Sequence, residues 1–136
     1  QIKRKSKMKP DIKIQMLEKL IDSNNSIDIK EALDKDYKYM IGIAITDGIC
    51  TDKAILESSR IKGMEFLPED FEAVNLIANK SVCPNKRFFC LFNPIEIKGD
   101  DLSITFKDPG YAGNYTMKIQ LLLTNDLNDA RELFFS

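Results

Sequence analysis

Apolar and polar residues alternate most strictly between Asp101 and Phe135. Leu102, Ile104 and Phe106 alternate with Ser103, Thr105 and Lys107. Further on, Tyr115, Met117, Ile119, Leu121 and Leu123 alternate with Thr116, Lys118, Gln120 and Thr124. A period of two puts each set on one face of a sheet, so two long strands are predicted, with a third, shorter strand toward Phe135. The break between them is Asp108-Pro109-Gly110-Tyr111-Ala112-Gly113. Pro fixes φ and removes a donor there, and Gly permits backbone that other residues avoid.

Upstream the pattern is less uniform. Gln1 to Pro10 reads as a basic linker before a single domain spanning 11–136. Asp11 to Met16 alternates like a strand, yet Ile14, Leu17, Leu20 and Ile21 also fit one helical face, and periodicity alone leaves both open. Ser23 to Ser26 is a turn cluster. Ile27 and Ile29 open a short element, and Lys30 to Leu33 fits a helical turn. Tyr37 to Thr46 is predicted as a strand with Tyr37, Tyr39, Ile41, Ile43 and Ile45 on one face. Met40, Gly42 and Ala44 on its other face imply burial on both sides, hence a central strand.

Lys53 to Ile61 reads as a short helix or an irregular Ser-rich connection. Glu69 to Lys80 has helix-start character at Pro68-Glu69-Asp70 but strand-like alternation at Val74, Leu76 and Ala78. Arg87 to Phe92 is a strand by its aromatic content, ended by Asn93-Pro94, and Lys98-Gly99-Asp100 is a turn. About seven strands with turn signals every 10 to 15 residues and one or two short helices predict a mainly β fold, an immunoglobulin or fibronectin III-like sandwich.

Composition narrows the chemistry. With 136 residues the chain can bury a core without metal or disulfide help. It contains no His and no Trp. Ser-His-Asp and Cys-His catalysis and His-containing zinc sites are therefore excluded, and acid/base work would fall to carboxylates, Lys or Tyr. The expectation is a non-enzymatic chain without a cofactor. The longest apolar run, Tyr39 to Ile45, is far below the roughly 20 residues that span a bilayer. No apolar region follows the basic start as a signal peptide requires. The domain is expected not to insert in a membrane, although it fits as a piece of a longer membrane protein.

Lys3, Arg4, Lys5, Lys7 and Lys9 crowd the first nine residues, leaving 15 basic against 21 acidic residues in the remainder. An acidic body argues against a nucleic-acid surface. Cys50, Cys83 and Cys90 match no metal spacing. They fit reduced thiols, with a Cys83–Cys90 bridge as the alternative that a hairpin would allow. Asn-x-Ser/Thr sequons stand at Asn24, Asn79 and Asn114.

Three acid pairs, Asp34/Asp36, Asp100/Asp101 and Asp126/Asp129, lack EF-hand spacing and read first as turn residues. Asp126-Leu127-Asn128-Asp129 is the best of them as an interaction loop. Tyr111, an aromatic in a turn, is a candidate interface anchor, or else packs across the sandwich edge.

The run F-x-x-P-G-x-x-G-N-Y, carried by Phe106, Pro109, Gly110, Gly113, Asn114 and Tyr115 and followed by Asp126, resembles a known family. It is the C-terminal fibronectin-type sandwich of the J-domain subunit of the endoplasmic-reticulum Sec translocon. Asp11-Ile12-Lys13 with Asp22 to Asn25, Tyr37 to Thr46, and Phe66-Leu67-Pro68-Glu69 with Leu76 to Asn79 follow in the family's order, which favours a strand over Ala73 to Ala78. The family's Trp-rich strand is missing, since Phe71, Val74 and Leu76 stand there. Its Asp-x-Tyr-x-Gly-x-Asp stretch is shortened to Asp126–Asp129.

The resemblance implies a module on the cytosolic face of the endoplasmic reticulum that docks on the channel subunit and supports post-translational import. The basic tail would then emerge from a membrane span on its positive side. A related module sits in spliceosomal RNA helicases. A secreted or cell-surface adhesive sandwich is the other class, and a carboxylate-based hydrolase a third.

Overall fold

The computed structural model describes residues 12–47, 51–77 and 88–128. They form nine strands: β1 (Ile12–Ile21), β2 (Ile27–Ala32), β3 (Tyr39–Asp47), β4 (Ile55–Ile61), β5 (Met64–Glu65), β6 (Phe71–Glu72), β7 (Phe89–Glu96), β8 (Asp101–Lys107) and β9 (Tyr115–Thr124). One sheet has the order β1-β9-β3-β7 and the other β2-β8-β4-β5, with β6 also on β4. All pairings within the sheets are antiparallel. The β-sandwich expected from the alternation is present.

Its strand order is nested. First pairs with last, β2 with β8, β3 with β7, and β4 closes on β5. A long hairpin rolled up this way is the jelly-roll arrangement. The immunoglobulin frame instead keeps its first two strands in one sheet. Here β1 and β2 lie in different sheets, as do β8 and β9, so the Pro/Gly turn after β8 carries the chain from one sheet to the other.

The inward faces are those the alternation named. Leu102, Ile104 and Phe106 of β8 meet Met117, Ile119, Leu121 and Leu123 of β9 in one core, joined by Leu17, Ile21, Ile29, Leu56 and Ile61. Burying an apolar side chain of this size contributes roughly 1.5–3 kcal/mol. The β3 strand is central and buried on both faces. Its register shifts between Met40 and Gly42. Met40, Ile43 and Ile45 therefore face the core, whereas Ile41 and Tyr39 turn to a second cluster with Leu122 on the outer face. The single face expected for Tyr39, Ile41 and Ile43 is split by that bulge, because one extra residue inverts the parity.

Other expectations are corrected. Lys53 to Ile61 contains the strand β4, and Lys30 to Ala32 continues β2 rather than turning helical. Ala73–Leu76 is a 3-10 turn, not a strand. Ala73 and Leu76 are buried three residues apart while Val74 is exposed, which is the 3-10 period. Asn93-Pro94 does not end β7, which runs on to Glu96. Pro is tolerated because β7 is a sheet edge. The linker 1–10, Cys50, Cys83, the Cys83–Cys90 bridge, Asp129 and most of the third strand expected toward Phe135 lie outside what is described.

Candidate interaction surfaces

Asp108 ends β8 and is 1% exposed. Its carboxylate accepts hydrogen bonds from the Thr51 N–H (3.2 Å), the Gly110 N–H (3.1 Å) and the Tyr115 hydroxyl (2.5 Å), and from the Thr51 hydroxyl. Burial pushes the carboxyl up. The hydroxyls of Thr51 and Tyr115 and the two N–H groups outweigh it, and the group sits below the ordinary carboxylate value. Through these bonds Asp108 ties the Pro/Gly turn, the start of β9 and the 51–54 loop together.

Tyr111 lies in this turn, half-buried against the core, with its hydroxyl donating to Asn114. Asp126 sits beyond the far end of β9. Its carboxylate accepts from the Asn128 N–H at 2.9 Å, and Thr124 bonds its backbone N–H and C=O at 3.0 Å each. The ten residues of β9 separate the two positions, about 30 Å of strand. Tyr111 and Asp126 therefore do not share a surface. Asp34 accepts from Lys13 at 2.5 Å, and Asp100 pairs with Lys62 at 3.4 Å. Among the described residues no group of three or more His, Cys, Asp or Glu is placed to hold a metal, and no helix is long and apolar enough to cross a membrane.

A cleft of about 480 Å³ opens where β4 and β5 of one sheet approach β7 of the other. It was not foreseen from the sequence. The Lys62-Gly63 turn creates one wall, with φ of 57° and 74°. Arg60 pairs with Glu65 and Ile61 with Met64 across it. Two positive φ values in a two-residue hairpin are those of a type I′ turn, which suits Gly. Phe66 then donates its N–H to the Ser59 carbonyl at 2.9 Å and turns inward. Leu91, Pro94 and Ile95 of β7 form the opposite wall.

The floor is apolar, built by Ile61, Phe66, Leu91 and Ile95, while Lys62, Glu65 and Glu96 stand at the lip. Lys62 also pairs with Asp100 at 3.4 Å, and the lip itself carries two glutamates against that one lysine. Such a cleft can hold an apolar group that carries a positive charge beside it. The sequence signal for it was the Lys62-Gly63 pair, a hairpin turn that a Ser-rich reading of 53–61 obscured.

A second feature lies on the opposite side of the sandwich. Ile14, Met16 and Leu20 are 45%, 46% and 51% exposed on the outer face of edge strand β1. Set against known proteins, the chain matches no family model, no curated protein and no solved structure.

Proposed function

We propose that this domain is a non-enzymatic binding module whose cleft between β5 and β7 takes a partner segment with an apolar side chain next to a basic one. The observation that carries the reading is the cleft itself, an apolar floor under an acidic lip. Its volume falls within the range of natural ligand sites, roughly 300–1,000 Å³. The chain's chemistry points the same way. It has no His, and its most constrained described carboxylate, Asp108, is committed to holding loops.

The translocon resemblance supplies one partner of suitable chemistry, the cytosolic loops of the channel subunit at the endoplasmic reticulum. Cytosolic loops of membrane proteins carry an excess of Lys and Arg, which complements Glu65 and Glu96. The fibronectin III frame behind that resemblance is not supported by the nested strand order, so the reading rests on the cleft and not on the family.

The test is an amide-resonance titration with short peptides pairing Phe with Lys, against the same peptides with Glu in place of Lys. Shifts confined to 61–66 and 91–96, stronger for the Lys peptides and reversed by Glu65→Lys with Glu96→Lys, are expected. No cleft shifts at peptide concentrations up to roughly 1 mM would sink the proposal.

A further inference from the structure

Exposed sheet edges invite pairing with another chain, and folded proteins blunt them with short strands, charges, Pro or bulges. Three of the four edges here are blunted. The β5 edge is two residues long. The β7 edge carries Pro94, and its register with β3 jumps between Met40 and Gly42. The β2 edge carries Asp28, Lys30 and Glu31 in six residues.

The β1 edge carries three charges in ten residues, Lys13, Glu18 and Lys19, but it is neither short nor interrupted by Pro or a bulge. It runs ten residues without Pro or Gly, and its register with β9 is unbroken from Ile12↔Thr124 to Ile21↔Tyr115. Among the described residues, no backbone hydrogen bond joins it to any segment other than β9. Ile14, Met16 and Leu20 lie along the same strand, half-exposed.

We infer that β1 pairs antiparallel with β1 of a second copy about a two-fold axis, joining two four-stranded sheets into one of eight strands. The occupant follows from the strand's own complementarity. Opposed residues in such a pair share a face, so the two-fold passes beside one residue and its copy. Centred on Leu17, the pairing sets Ile14 against Leu20, Met16 against Glu18, Gln15 against Lys19 and Lys13 against Ile21. No like charges stand opposite one another. Centred on Met16, it would set Lys13 against Lys19 twice, and centred on Glu18 it would oppose that residue to itself. Like charges directly opposite are destabilising.

The diagonal contacts of the Leu17 register bring Glu18 toward its own copy and Lys13 toward Lys19, and two of these three charges have partners within their own chain. Glu18 is held by Lys118 at 3.6 Å and Lys13 by Asp34 at 2.5 Å. Centred on Gln15, the overlap is shorter and loses Leu20. The inference is independent of the cleft, which opens on the far side of the sandwich.

One strand and three apolar side chains per copy make a small interface, below about 1,200 Å², so the dimer dissociates on dilution. Sedimentation of the full chain tests this up to roughly 1 mM. The wild type is expected to rise from 15.5 kDa toward twice that mass. Ile14→Lys, at an exposed position, holds the monomer with an unchanged circular-dichroism spectrum. The double variant Ile14→Lys with Leu20→Glu restores the dimer, because positions 14 and 20 face each other in this register. A monomer at every concentration, species larger than a dimer, a dimer indifferent to Ile14→Lys, or a double variant that stays monomeric would each overturn the inference.

Discussion

Asp108 shows how one side chain can fix a connection that local sequence leaves open. Its four donors come from Thr51, Gly110 and Tyr115, and the Thr51 bonds close over 57 positions of chain. Asp108→Asn replaces an acceptor-only group by one that turns an amide toward donors. It should cost about 2–4 kcal/mol in a urea titration at neutral pH. Because the folded carboxyl lies below its unfolded value, its stabilisation is complete above the unfolded value, near ~3.9, and is lost as pH falls through the lower folded value. The wild-type urea midpoint should therefore hold from neutral pH to about 5 and drop below about 4, and Asp108→Asn should flatten the part of that drop this residue causes.

Gly110 belongs to the same knot, since a Cβ there would lie 2.6 Å from the Thr51 Oγ1. Gly110→Ala should destabilise by about 1–2 kcal/mol, and by less in a Thr51→Ala background, a non-additivity that a double-mutant cycle reads directly. The sequence marked this segment as a turn through Pro109 and Gly110. The role of Asp108 was illegible there, because its main partner is remote. Tyr111 is half-buried against the core, and Asp129 lies outside the described residues.

At the scale of elements, legibility followed parity. The β8 and β9 strands have unbroken alternation on their inward faces, and their boundaries match the pattern from Asp101 and Tyr115 onward. The β1 strand was ambiguous because its outer face is also apolar, so Ile14 and Leu20 imitate a helical stripe. The β4 strand was missed for another reason. A register shift between Leu56 and Ser58 moves the next inward position to Ser59, so the buried side chains fall at 56, 59 and 61. No period of two survives that spacing, and one of the three inward residues is polar. The Ser59 hydroxyl is fully buried and finds no hydrogen-bond partner among the described residues. An unsatisfied buried hydroxyl opposes folding, so Ser59→Ala should stabilise by about 1 kcal/mol, raising Tm by about 3 °C in a calorimetric scan.

For the whole molecule, the sandwich was readable from pattern and the order of its strands was not. Alternation reports which face of a strand is buried, but it carries no information on which strand lies beside it. Motif order along the chain suggested a fibronectin-type frame, whereas the contacts close the chain from both ends inward, β1 on β9 and β2 on β8. That nesting ties both ends of the fold together. Truncation after Gly113, which removes β9, should leave no cooperative thermal transition, since β1 and β3 would both lose the strand between them.

The same nesting sets a schedule for synthesis. The β4–β5 hairpin can form as soon as it emerges, but β1, made first, waits for a partner that is made last. At roughly 5–20 residues per second, the chain is several seconds older when Thr124 is added. Throughout that interval Ile14, Met16, Leu17 and Leu20 travel unpaired on the nascent chain, within reach of neighbouring ribosomes on the same message. Holding that one strand apart until β9 emerges is the burden this topology places on the cell.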